Sequence, residues 1–124
     1  MDIKKHITAL EFNTKNGTNG IYHKIYVDYA IEIDFEKQSI NYGSSITADS
    51  KTTQNFSDAE NFVVLECVDK LLTKGYKPQN IVLEKTWPSG HGTSGRLDIC
   101  VNREDGTPYM LIECKTYGKE YNKE

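Results

Sequence analysis

RLDICVN (residues 96–102) and YMLIECKT (residues 109–116) are two strand-like segments that flank the polar segment REDGTP (residues 103–108). Both runs have the apolar, aromatic and β-branched content that is typical of strands. Asp105-Gly106 between them favours a two-residue type I′ turn, because both central positions of that turn need a positive φ. The sequence therefore predicts an antiparallel hairpin that reverses at Asp105-Gly106.

The predicted turn also sets the register of the two strands. If Glu104 and Thr107 flank the turn, the numbers of opposed residues sum to 211. A one-residue bulge would break this facing, and bulges are frequent near functional sites. The predicted opposed pairs are Val101 with Met110, Asp98 with Glu113, and Arg96 with Lys115.

This register brings two carboxylates, Asp98 and Glu113, close to the ammonium group of Lys115. Opposed like charges destabilise a sheet unless something compensates them, and a divalent cation would do so. Mg²⁺ prefers oxygen ligands, here the two carboxylates and the backbone carbonyl of Cys114, while Lys115 could orient or deprotonate water. The pattern predicts metal-assisted phosphodiester hydrolysis, the alternative being a hairpin that displays solvated charges.

A helix is predicted before this hairpin, from Glu60 to Lys74. Ser57 and Glu60 match a capping box, and Gly75 supplies the stop. The spacing predicts an apolar face and a solvated one, with Glu60 on the apolar side, where its carboxylate could join the site. The predicted apolar face comprises Phe62, Val63, Val64, Leu65, Val68, Leu71 and Leu72, and the solvated face Glu66, Asp69, Lys70 and Lys74.

The rest of the chain reads as strands and loops. Residues up to about Gly43 are predicted to be extended, with a hairpin turn near Glu36–Gln38. IVLEKTW (residues 81–87) is a further predicted strand, and the glycine-rich loop PSGHGTSG follows it. Lys85 and Arg96 flank the proposed centre and His91 lies in that loop, so these three are the candidates for contact with DNA phosphates.

The composition of the chain limits the classes of protein to which it can belong. A chain of 124 residues with 37% hydrophobic residues is expected to form one core. Its longest apolar run, FVVL, is too short for a membrane span, and no signal peptide is expected. Three cysteines, an odd number, indicate a reduced, cytoplasmic protein. We expect all three to be small buried side chains, because free cysteine is among the most buried residue types. A net charge of −3 counts against nucleic-acid binding, unless neighbouring domains supply phosphate contacts.

The order of helix, strand, glycine-rich loop, RLD strand, short turn and ECK strand resembles the PD-(D/E)XK nuclease core over residues 57–118. It is most similar to the N-terminal nuclease domain of type I restriction enzyme R subunits and related single-chain restriction-modification proteins. Arg96-Leu97-Asp98 and Glu113-Cys114-Lys115 match the family's RxD and ECK motifs, and TYGKEY also resembles its continuation. The family continues into a helix with Gln and Tyr, so we expect this chain to be a truncated fragment.

The resemblance implies an α/β (α+β) fold with a restriction-endonuclease-like core at residues 51–124, in which a helix packs on a mixed sheet. Residues 1–50 are then expected to form an N-terminal β-hairpin extension. It implies Asp98, Glu113, Lys115 and Glu60 as catalytic residues, Mg²⁺ as cofactor with Mn²⁺ as substitute, and double-stranded DNA as substrate. Other domains or subunits of a restriction-modification system are the implied partners. Two alternatives stay open: a DNA- or protein-binding module without cleavage, and a repair or junction nuclease, which should be more basic.

Overall fold

The computed structural model describes residues 2–88 and 94–115, and at residues 87–88 and 94–96 it describes the backbone alone. Two helices and eight strands lie in this part of the chain. In chain order they are α1 Ile3–Ala9, β1 Asn13–Thr14, β2 Ile21–Tyr26, β3 Tyr29–Asp34, β4 Ser39–Asn41, β5 Thr47–Ala48, α2 Glu60–Thr73, β6 Ile81–Pro88, β7 Ser94–Asn102 and β8 Pro108–Ile112, with a 3₁₀ turn at Pro78–Asn80 before β6.

The strands form two four-stranded sheets. In the first, β1 to β4 follow one another as an antiparallel meander. In the second, β5 runs parallel to β6, whereas β6, β7 and β8 are antiparallel neighbours. The predicted mixed sheet and α+β class are confirmed, consistent with a restriction-endonuclease-like fold. Neither described helix has the length and apolar character needed to cross a bilayer.

The N-terminal region differs from the prediction in one element. The residues up to about Gly43 were expected to be extended, but Ile3–Ala9 form helix α1, so the prediction is wrong there. Asp2 caps this helix, because its carboxylate accepts from the backbone N–H of Lys5 at 3.2 Å. Ile7 anchors the helix in the core. The predicted turn at Glu36–Gln38 is confirmed, since β3 and β4 pair on either side of it.

Helix α2 begins at the predicted residue by a different device. The capping box is wrong: the Ser57 hydroxyl donates to Asn55, and the Asp58 carboxylate accepts from the backbone N–H of Glu60 at 2.9 Å. The predicted stop at Gly75 is confirmed. Its φ of +100° accompanies the two backbone bonds of a Schellman motif, from Gly75 to Leu72 and from Tyr76 to Leu71.

Among the described residues, one hydrophobic core joins α2 with both sheets. The predicted apolar face of α2 is buried, except that Val63 is half-buried. Asp69 was predicted to be solvated and is instead buried, because Lys24 and Tyr26 of β2 bond its carboxylate. The division of the chain at residue 50 stays a prediction. The structure adds that β5, before this boundary, pairs with β6, and that the core joins residues from both sides.

The β7–β8 hairpin has the predicted register but another turn. Val101 faces Met110 and Ile99 faces Ile112, as predicted. The type I′ turn is wrong: the backbone N–H of Arg103 donates to Thr107, which leaves three loop residues, and Gly106 alone among them has a positive φ. Asn102 faces Pro108, so Tyr109 is an extra residue, a bulge that restores the register beyond it.

Candidate functional site

Asp98 lies in β7 where pairing with β8 ends. The last ladder pair described is Ile99 with Ile112, one pair short of the predicted facing of Asp98 and Glu113. Asp98 Oδ2 instead accepts from the backbone N–H of Cys114 at 2.7 Å. A hydrogen bond to an ionised acceptor is roughly twice as strong as a neutral one. This bond therefore holds the RLD and ECK segments against each other.

Asp98 and Glu60 both line one pocket of about 270 Å³. Its lining is otherwise mainly polar, with Thr52, Thr53, Ser57, Asp58, Asn61 and Val64. Glu60 is the first residue of α2, where the positive end of the helix dipole favours an anionic side chain. The helix carboxylate that was predicted as a candidate thus shares a pocket with the RLD aspartate.

Glu113 and Lys115 lie on the exposed side of the segment that follows β8. Their side chains are 60% and 54% exposed, and Lys115 Nζ lies 3.1 Å from Glu113 Oε1. Cys114 between them is buried, 3% exposed. This alternation separates the Glu113–Lys115 pair from the pocket that Asp98 and Glu60 line. Within residues 2–88 and 94–115, no group of three or more His, Cys, Asp or Glu residues is arranged to hold a metal ion.

Glu84 supports the pocket wall and was not anticipated from the sequence. It is fully buried in β6 at a φ of +51°, a rare conformation for a residue with a side chain. Its carboxylate accepts from the Thr52 hydroxyl and from the Thr53 backbone N–H and hydroxyl, the last two at 3.2 Å. A glutamate directly after the apolar residues IVL was the available signal, but its partners lie more than thirty positions away.

Two of the three cysteines meet beside the ECK segment. Cys114 Sγ donates to Cys67 Sγ at 3.7 Å, and this bond lowers the pKa of the Cys67 thiol to about 7. The same bond, then burial, and then the charges of Cys67, Asp98 and Glu60 raise the pKa of Cys114. Cys100 and Cys114 are buried as predicted, whereas Cys67 is half-buried.

The predicted DNA contacts are only partly within the described structure. Lys85 is half-buried in β6 and pairs with Leu97 of β7. Arg96 is described by its backbone alone, which pairs with Thr86. His91 lies outside the described residues. The roles of these three residues stay predictions.

Comparison with known proteins gives one match. The sequence model of the family described as Type I restriction enzyme R protein N terminus (HSDR_N) matches residues 60–124, just over half of the chain. No curated protein and no solved structure matches the chain. The match begins at the first residue of α2 and includes both Asp98 and the ECK segment. The chain therefore belongs to the family of type I restriction enzyme R protein N-terminal regions.

Proposed function

We propose that this chain is the magnesium-dependent DNA endonuclease domain of a restriction-modification enzyme, which hydrolyses phosphodiester bonds of double-stranded DNA. Family membership supports a role in restriction, in company with other subunits or domains. The observation that carries the proposal is the pocket that Glu60 and Asp98 share, with Asp98 bonded to the backbone of Cys114. Three free cysteines suit a reducing cytoplasm as the place of action.

The donor set of the pocket fits Mg²⁺. This cation takes one or two carboxylates and completes its shell with waters and substrate phosphate oxygens, so a closed cage of protein ligands is not needed. Asp98, which lines the pocket, and the backbone carbonyl of Cys114, whose N–H bonds Asp98, are proposed ligands, and Glu60 adds a second carboxylate in the pocket. Bound at this place, Mg²⁺ or Mn²⁺ would supply positive charge against the attacked phosphate.

Glu113 and Lys115 are the proposed partners from the ECK segment. Their ion pair is exposed, and such pairs contribute only about 0 to 1 kcal/mol, so the pair opens at little cost. We propose that DNA binding opens it. The Glu113 carboxylate then becomes available as a cation ligand, and the Lys115 ammonium can bind the phosphate and orient the attacking water.

Cleavage of duplex plasmid by the full chain with Mg²⁺ tests this proposal. We expect Asp98→Asn and Lys115→Ala each to reduce the cleavage rate by about 100-fold or more, a size typical for loss of a group that stabilises developing charge. Glu60→Gln should also slow cleavage, and Glu66→Gln is its matched control, because both residues lie on α2 and Glu66 does not line the pocket. Unchanged cutting by both Asp98→Asn and Lys115→Ala contradicts the proposal.

A binding module without cleavage is the second candidate, and the exposed Glu113–Lys115 pair outside the pocket favours it. Metal titration separates the two functions. If the pocket binds Mg²⁺, the cation raises the melting temperature of the wild type more than that of Asp98→Asn. Duplex binding with neither a metal-dependent shift nor cutting supports the binding module.

A further inference from the structure

Cys67 and Cys114 bring two thiols together from distant parts of the sequence. Cys67 lies on α2, Cys114 follows β8, and 3.7 Å separates their sulfur atoms. A disulfide needs about 2.05 Å, so the sulfurs must approach by roughly 1.7 Å, a displacement of the size that side-chain rotation about χ1 produces. Both cysteines are free thiols in the structure.

A pocket of about 190 Å³ gives small molecules access to one of the two thiols. Its lining is mostly apolar and comprises Cys67, Lys70, Leu71, Lys74, Tyr76, Met110 and Ile112. Cys67 is half-buried on this wall, whereas Cys114 is 3% exposed. A small oxidant that enters the pocket therefore meets Cys67 first, with Cys114 directly behind it. Cys100, by contrast, is buried and its thiol donates to Asn102 Oδ1.

We propose that Cys67 and Cys114 form an oxidant-sensitive dithiol that closes to a disulfide when a peroxide enters this pocket. The Cys67 sulfur attacks one oxygen of hydrogen peroxide, the O–O bond breaks, and a sulfenic acid and one water form. The Cys114 sulfur then attacks the Cys67 sulfur, forms the S–S bond and displaces the hydroxyl group, which leaves as a second water with the Cys114 proton. Two thiols are oxidised and the two peroxide oxygens are reduced.

The disulfide would tie α2 to the ECK segment. Cys114 is also the residue whose backbone N–H holds Asp98, so the new bond would restrain the place where the two sequence motifs meet. Because a crosslink between distant positions restricts the unfolded chain, the oxidised protein should melt at a higher temperature than the reduced one. This inference rests on the sulfur geometry and needs neither DNA nor a metal.

Oxidation of the full chain with hydrogen peroxide, followed by non-reducing mass spectrometry, tests the inference. We expect a loss of two hydrogens, a fall in alkylatable thiols from three to one, and a linked peptide pair that contains Cys67 and Cys114. Cys67→Ser and Cys114→Ser should abolish the crosslink. Cys100→Ser is the matched control and should keep it.

Two results overturn the inference: an oxidised wild type without a Cys67–Cys114 linked peptide, or a crosslink that involves Cys100. Lys115→Ala separates this inference from the proposed nuclease activity, because it removes a proposed catalytic group and leaves both thiols in place. We expect that variant to form the disulfide as fully as the wild type. Its failure to do so, with the wild type crosslinked, would show that the reaction depends on the ECK lysine rather than on sulfur proximity.

Discussion

Asp69→Ala tests whether the N-terminal sheet is part of one cooperative fold with α2. The Asp69 carboxylate is buried and accepts from Lys24 Nζ at 2.7 Å and from the Tyr26 hydroxyl at 2.6 Å. Both donors belong to β2, whereas Asp69 belongs to α2. These bonds therefore connect the first sheet to the helix that the restriction family model begins with.

The expected loss of stability in Asp69→Ala follows from the bonds that Lys24 and Tyr26 donate to the carboxylate. Breaking a buried ion pair costs about 3 to 5 kcal/mol, because it leaves a buried charge without its partner. The Lys24 side chain keeps 18% exposure and also donates to the Leu10 carbonyl at 2.8 Å, which reduces that cost. Loss of the Tyr26 bond to a charged acceptor adds to it. We expect Asp69→Ala to lower the free energy of unfolding by about 3 kcal/mol, or the melting temperature by roughly 10 °C.

Urea denaturation followed by circular dichroism and by fluorescence of the single tryptophan measures this loss. The double variant Asp69→Ala with Lys24→Met should be more stable than Asp69→Ala alone, because it removes the charge that the single variant leaves unpaired. Glu66→Gln, on the same helix but in a more exposed pair, should leave the midpoint unchanged. A free energy of unfolding of Asp69→Ala within about 0.5 kcal/mol of the wild-type value would contradict this expectation.

Three further outcomes follow from the described structure. Gly75→Ala should destabilise the protein by about 1 kcal/mol in urea denaturation, because Gly75 ends α2 at a φ of +100°; no change would contradict the Schellman stop. Tyr42→Phe should raise the free energy of unfolding by up to about 1 kcal/mol, because the buried Tyr42 hydroxyl has no hydrogen-bond partner among the described residues; a loss of stability would reveal one. Burial raises the pKa of Tyr26 and of Tyr42, so the free energy of unfolding should be constant below about pH 10, where unfolded tyrosine titrates, and should fall above that pH. Tyr42→Phe should reduce that fall in thermal melts between about pH 9 and 11. An equal pH dependence in both proteins would contradict this expectation.

The β7–β8 hairpin shows which features the local sequence pattern predicts. The apolar runs around Asp105-Gly106 predicted two antiparallel strands and the facing of Val101 with Met110, and both are confirmed. The turn type was wrong, and the register survived because the three-residue loop and the bulge at Tyr109 shift the pairing in opposite senses. Such compensation cannot be inferred from the turn residues alone, since a bulge depends on how the strand packs.

In helix α2, too, some features were predictable from the sequence and others were not. Its apolar face followed from a 3.6-residue period and its stop from Gly75, which are properties of adjacent residues, whereas its start was predicted at the right residue from a capping box that does not form. Asp69 fell on the predicted solvated face because the period cannot reveal that β2, 45 positions earlier, supplies Lys24 as an ion-pair partner. Burial of a charge depends on its partners, and these were brought to Asp69 by tertiary packing.

The order of elements from α2 to β8 followed from periodicity and turn signals, which are local properties of the chain, and the mixed sheet and the family followed from the resemblance that RLD and ECK carry. The grouping of side chains was decided by the tertiary structure. It placed Asp98 with Glu60 in a pocket, left Glu113 and Lys115 exposed outside that pocket, and set Cys67 against Cys114. Alternation along a strand can place a side chain on a face, but only the packing of distant elements determines which groups meet there.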